Sequence, residues 1–118
     1  MDKRFSTFLL DNILEQEKKE REELRLQLIE ILFKTFDKLS HEIPIKEAYL
    51  FGSITKSYKF QKDSDVDIGF IGLKDEHFFK AMSFISREIS REVDVVQLEG
   101  HRLEEKIKKD GIKWIKEN

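Results

Sequence analysis

The segment YLFGSITKSYKFQKDSDVDIGFIG, residues Tyr49–Gly72, decides how this chain folds. A short apolar run enters Gly52-Ser53, a polar loop follows, and Asp65-Val66-Asp67 opens a second apolar run. Short apolar runs bounded by Gly and polar clusters read as β-strands. In a strand, side chains two apart share a face. Val66, Ile68 and Phe70 therefore line one face of the second strand, and Asp65 and Asp67 the other. Two neighbouring carboxylates on a largely buried strand destabilise a small domain unless a cation sits beside them.

Working outward, Pro44 closes what precedes it, and IKEAYLF, Ile45–Phe51, is the first strand. Ser53–Tyr58, just after Gly52, is expected to open a short helix. Upstream, Phe5–Leu39 holds no Gly or Pro and reads as helix. Its apolar residues form a short stripe, Phe5, Phe8, Leu9 and Ile13, and a longer one, Leu24, Leu28, Ile31, Leu32, Phe36 and Leu39. Between them, Glu15–Glu23 is charged all round and reads as a solvated helix segment or a bend between two helices. The longer stripe can pack on a sheet; the shorter one is either a surface for a partner or second copy, or a helix folding back on its own core. Downstream, Phe78–Glu92 has helical periodicity, with Phe78, Met82, Ile85 and Ile89 on one side. Val93–Leu98 is a third strand, and Arg102–Asp110 a last helix stopped by Gly111. Trp114 and Ile115 are expected to cover the core. The expected fold is α/β (α+β): a small mixed sheet packed by helices. It divides into a helical extension, residues 1–40, and a domain over 41–118.

The third strand carries one more acid, Asp94, between Val93 and Val95. If the two strands are neighbours, Asp65, Asp67 and Asp94 converge. Two unit charges about 4 Å apart repel by roughly 4 kcal/mol at an effective dielectric near 20. A hard divalent cation relieves that repulsion, and an all-carboxylate set suits Mg²⁺ or Mn²⁺ rather than zinc. A calcium loop over Asp63–Lys74 fails, because Ile68 stands where Gly is needed and Lys74 where Glu is. A purely structural reading, with the acids on a solvated sheet face, explains each acid singly but not their association with Gly52-Ser53. That pair follows a strand, where Gly permits close approach of a phosphate and a helix start presents unpaired N–H groups. His41, His77 and His101 have no metal-ligand spacing and read as surface or boundary residues.

Gly52-Ser53 after a strand, Asp65-x-Asp67 after a spacer and Asp94 on a later strand together resemble the polymerase β-type nucleotidyltransferase superfamily, and within it the minimal nucleotidyltransferases. The likeness covers Ile45 to the C-terminus, including KIKKDGIKWI, residues 106–115. It implies a nucleotidyltransferase fold. Gly52, Ser53, Lys56 and Ser64 would bind the nucleotide; Asp65, Asp67 and Asp94 would be the catalytic carboxylates and the ligands of two Mg²⁺ ions, with Mn²⁺ a substitute. The implied reaction moves AMP from ATP to an acceptor hydroxyl. The implied partner is a small helical HEPN-type toxin, this chain being its antitoxin. A non-catalytic module of the same fold, neutralising a partner by forming a complex, is the alternative. The chain departs from the family pattern in its spacer of eleven residues, Ile54–Ser64, and in Ile54-Thr55-Lys56-Ser57 where x-x-Arg-Gly is usual.

Composition bounds these readings. With 118 residues there is room for one core. No run is apolar enough to span a membrane, and cysteine is absent, which suits a cytoplasmic protein. The net charge of −2, from 39% charged residues, gives no general pull towards nucleic acid. Phosphate recognition must be local.

Overall fold

In the computed structural model, which describes residues 3–117 and the side chains of residues 7–117, the uninterrupted helical sequence becomes one helix. This is α1, Lys3–Ser40, and it continues unbroken through the charged run Glu15–Glu23. Its carboxy-terminal half buries Leu28, Leu32, Phe36 and Leu39, the spacing that keeps one face turned to a sheet. Ile31, expected in that stripe, is 45% exposed because it stands on the flank of the buried arc. Among the described side chains of its amino-terminal half none is buried: Phe8, Leu9, Leu10, Ile13 and Leu14 are all exposed. The side chain of Phe5 lies outside the described residues.

The sheet holds four strands, β1 Glu47–Phe51, β2 Val66–Ile71, β3 Val93–Gln97 and β4 Ile112–Ile115, in the order β3-β2-β1-β4. β1 pairs antiparallel with β2 and β4, while β2 and β3 run parallel. Between β2 and β3 lies α2, Phe78–Ile89, and before β4 comes α3, Glu104–Asp110. α2 ends three residues short of the expected Glu92, because Ser90 takes a left-handed conformation (φ 53°) and its N–H bonds Ser86 O. The loop after β1 is a single 3₁₀ turn, Gly52–Thr55, not the expected short helix.

α1 and α2 cover one sheet face, packing on Ala48, Leu50, Val66, Ile68, Phe70, Val93 and Val95. Phe36 sits at its centre, 5.7 Å from both the Phe70 and Trp114 rings. Trp114 is buried as expected, and its indole N–H donates to Asp37 Oδ1 at 2.8 Å, fastening β4 to α1. Ile115, by contrast, is 53% exposed, because alternation along β4 turns it outward.

The second face is covered more sparsely. Ile107 of α3 packs there with Tyr49 and Leu98. Gly69 makes room for Leu98, whose side-chain carbons would lie 2.7–2.8 Å from a Cβ at that position. This cover reaches the middle of the sheet and leaves the Asp67 end of β2 open.

Candidate active site

Strand register aligns three residues across the open end of the second face. Phe51 stands opposite Asp67 on the antiparallel side, and Asp67 opposite Asp94 on the parallel side. Asp94 is exposed between buried Val93 and Val95, so alternation turns it to the face Asp67 occupies. The two strands that sequence left unplaced are neighbours, and their two acids sit side by side.

The electrostatic cost falls mainly on Asp67. It is partly buried, and its pKa is raised from the usual 3.8 to about 6. Burial is the largest cause, followed by the charge of Asp94, a hydrogen bond in which protonated Asp67 donates to Asp94, and the charge of Asp65. Asp65 and Asp94 are exposed, so water screens them. The penalty is smaller than three equal repulsions would give.

Among the described residues, no three acids or histidines already close into a set able to hold a metal ion. The structure joins Asp67 to Asp94 and sets Asp65 just before β2, near enough for its charge to be felt. The donor chemistry still fits a hard divalent cation. All the groups are carboxylate oxygens, and the partly buried one is held towards its neutral form by burial and by its acidic neighbours.

Gly52 meets this row from the other side. Its φ is +79°, and a Cβ built there would overlap Asp67 Oδ2. Glycine is therefore required twice, for the backbone conformation and for the space beside the carboxylate. In the turn that follows, Thr55 Oγ1 donates to Gly52 O at 2.7 Å and Lys56 N–H to Ser53 O at 3.1 Å. Ser53 is half-buried and Lys56 exposed. Ser64 accepts a hydrogen bond from Gln61 N–H at 3.0 Å, so its hydroxyl closes the loop before β2.

Sequence reading missed the residues that fix this loop. Arg25, on the buried face of α1, donates to Ile54 O at 2.9 Å and is paired with Glu22 at 2.6 Å. Glu22 Oε2 accepts the N–H of Tyr58, a residue with φ of +65°. At the loop's far end Arg91 lies over the Phe60 ring and donates to Lys62 O. A signal existed for Arg25: it falls three residues before Leu28 and seven before Leu32, inside the apolar stripe.

Two depressions flank these groups. One, about 1170 Å³, runs between α1 and Ser57–Lys59. The other, about 480 Å³, lies between Asp94 and the Met82–Arg87 stretch of α2.

A family profile described as polymerase beta, nucleotidyltransferase matches residues 33–118. Among solved structures, one described as a toxin–antitoxin with AMP-PNP superposes with a TM-score of 0.58 at 22% identity, over 72% of this chain and 74% of that one. A protein assigned as a nucleotidyltransferase from Sulfolobus solfataricus gives 0.53 at 25% identity, over 85% and 88%. A mutant of the toxin–antitoxin MntA-HpeT gives 0.53 at 18%, over 79% and 74%. A search of curated protein sequences gave no significant match.

Proposed function

The chain belongs to the polymerase β nucleotidyltransferase family, and from that premise we propose that it transfers a nucleoside monophosphate, AMP from ATP, to a hydroxyl on a partner protein. One observation carries this reading: Gly52 pressed against Asp67, and Asp67 paired with Asp94, at the uncovered end of the sheet. A glycine with no room for a side chain, beside an Asp67 carboxyl whose pKa burial and its acidic neighbours raise, suits a triphosphate arriving with divalent cation.

In this mechanism Asp65, Asp67 and Asp94 would hold magnesium. When bound, it neutralises the triphosphate and the pyrophosphate leaving group and lowers the pKa of the acceptor hydroxyl. Backbone N–H groups of the turn starting at Gly52 and Ser53 bind the phosphates, and Lys56 adds an exposed cation. The acceptor oxygen forms a bond to the α-phosphorus, and the bond from that phosphorus to the β-bridging oxygen breaks. Pyrophosphate leaves with the electron pair, and the hydroxyl proton passes to Asp94, whose exposure lets it reach solvent.

The acceptor is proposed to be a small helical toxin of the HEPN type, which gives this chain an antitoxin role. Two structural relatives are themselves described as toxin–antitoxin proteins, and one of them carries AMP-PNP. A non-catalytic role through complex formation alone is the second reading. The presence of all three carboxylates, Asp65, Asp67 and Asp94, counts against it.

Incubation with ATP labelled at the α- or γ-phosphate separates the two. Under the transferase reading, α-label appears on the partner in Mg²⁺ or Mn²⁺, γ-label does not, and Asp65→Ala, Asp67→Ala and Asp94→Ala each abolish transfer. Tight partner binding with no α-label in any divalent metal sinks the transferase reading and leaves complex formation.

A further inference from the structure

The buried charged side chain among the described residues is Arg25, 8% exposed, and its donors point inward. Nε and Nη2 grip the Glu22 carboxylate, Nη1 donates to Ile54 O at 2.9 Å, and Nη2 reaches Ser57 Oγ at 3.4 Å. Glu22 in turn accepts Tyr58 N–H at 2.8 Å. One ion pair on α1 therefore holds three points of the five-residue segment that follows Gly52-Ser53. Arg25's hydrogen bond, then that of Tyr58 N–H, draws the Glu22 pKa below the usual carboxylate range, so Glu22 stays charged at neutral pH.

Stability alone is a poor reason for this arrangement. An ion pair three residues apart on a helix adds little, and a buried one is often matched by apolar residues of similar size. Its placement is the distinctive property. Ile54 is locked by its fully buried side chain, and Tyr58 is kept in a left-handed conformation that bulky residues seldom adopt. Backbone held away from its preferred conformation by specific contacts clusters at ligand-binding turns.

We propose that Arg25 and Glu22 are positioning residues for the nucleotide. They fix the backbone from Ile54 to Tyr58, so that the preceding Gly52-Ser53 turn is formed before a triphosphate arrives, and they make the seating of α1 a determinant of nucleotide affinity. The proposal rests on the nucleotidyltransferase reading of the site. Neither residue touches the phosphates, because the guanidinium is already occupied by Glu22, Ile54 O and Ser57 Oγ.

The test compares Arg25→Met, Arg25→Lys and Glu22→Gln with Leu32→Ala, a core truncation about two helical turns beyond Arg25. Two quantities are read: amide exchange at Tyr58 in the metal-free protein, and affinity for a non-hydrolysable ATP analogue with magnesium. Arg25→Met is expected to speed exchange at Tyr58 and to weaken the analogue about tenfold, the scale of losing one charge-assisted contact. Arg25→Lys is expected to lose nearly as much, because an ammonium cannot form the fork. Glu22→Gln loses less, since its amide oxygen still accepts from Tyr58, and Leu32→Ala keeps wild-type affinity despite a lower melting temperature. If Arg25→Met does not fold, Arg25→Lys and Glu22→Gln decide. Analogue binding unchanged in the Arg25 variants overturns the proposal while the transferase reading stands. A wild-type protein that does not bind the analogue at all overturns both.

Discussion

Replacing Asp67 with Asn should stabilise the metal-free protein above about pH 6, where the folded carboxyl becomes charged. The Asp67 pKa is raised from 3.8 to about 6 by burial, by Asp94 and by Asp65. A shift of about two units corresponds to roughly 3 kcal/mol, and solvent screening of a partly exposed group reduces this to about 1–2 kcal/mol. The sign follows from proton binding. Between about pH 4 and pH 6 the unfolded chain has released the Asp67 proton and the folded chain has not, so stability falls as pH rises through that window. Below it the neutral carboxyl and the Asn amide are alike, and the two proteins should melt together. Above it Asn carries no charge beside Asp94, and Asp67→Asn should melt about 3–8 °C higher near pH 7.5 in EDTA. Mg²⁺ with ATP should then raise the wild-type midpoint and leave the variant's nearly unmoved. Thermal melts followed by circular dichroism across pH 3.5–8 would check this (on the order of ten conditions). Asp67→Asn less stable than wild type near pH 7.5 without metal would refute the reasoning and make Asp67 a structural hydrogen-bonding group.

Gly52→Val should abolish binding of an ATP analogue in calorimetric titration and also lower the melting temperature, because φ of +79° and the Asp67 contact both exclude a side chain. Lys56→Ala should weaken the same binding by on the order of 1 kcal/mol, as expected of an exposed cation. Trp114→Phe removes the indole bond to Asp37 and a fraction of buried area, so urea unfolding should show a loss of about 1–2 kcal/mol. Deleting residues 1–14 should leave the melting temperature unchanged, since the described side chains there, 7–14, are all exposed.

The elements that sequence resolved best are those whose side chains alternate against a core. β2 was legible because Val66, Ile68 and Phe70 alternate with Asp65 and Asp67, and the same alternation turned Asp94 away from Val93 and Val95. The adjacency of β2 and β3 was not legible, because pairing is a tertiary choice that no local pattern records. β4 was missed for a different reason. Gly111 reads as a helix stop, and four residues containing an exposed Lys113 are too few to show period two. The 3₁₀ turn at Gly52 was taken for a helix because its first residues suit both, and Lys56 leaves helical geometry at φ −110°, ψ 121°. Arg25 and Glu22 were hidden by their surroundings. A charged run reads as solvated, and only the position of Arg25 within the stripe distinguishes it from Lys18 or Lys19, which stay exposed.

The length of α1 changes how the molecule moves through a solvent or a gel. A compact chain of 118 residues has a radius of gyration of about 13.5 Å, whereas this one reaches 17.6 Å, with extents of 63 × 28 × 24 Å. The larger value belongs to a compact chain about twice as long. A monomer of 14.1 kDa should therefore elute from a sizing column near the volume of a globular dimer. Light scattering, which weighs particles without regard to their drag, is the measurement that counts subunits in this protein.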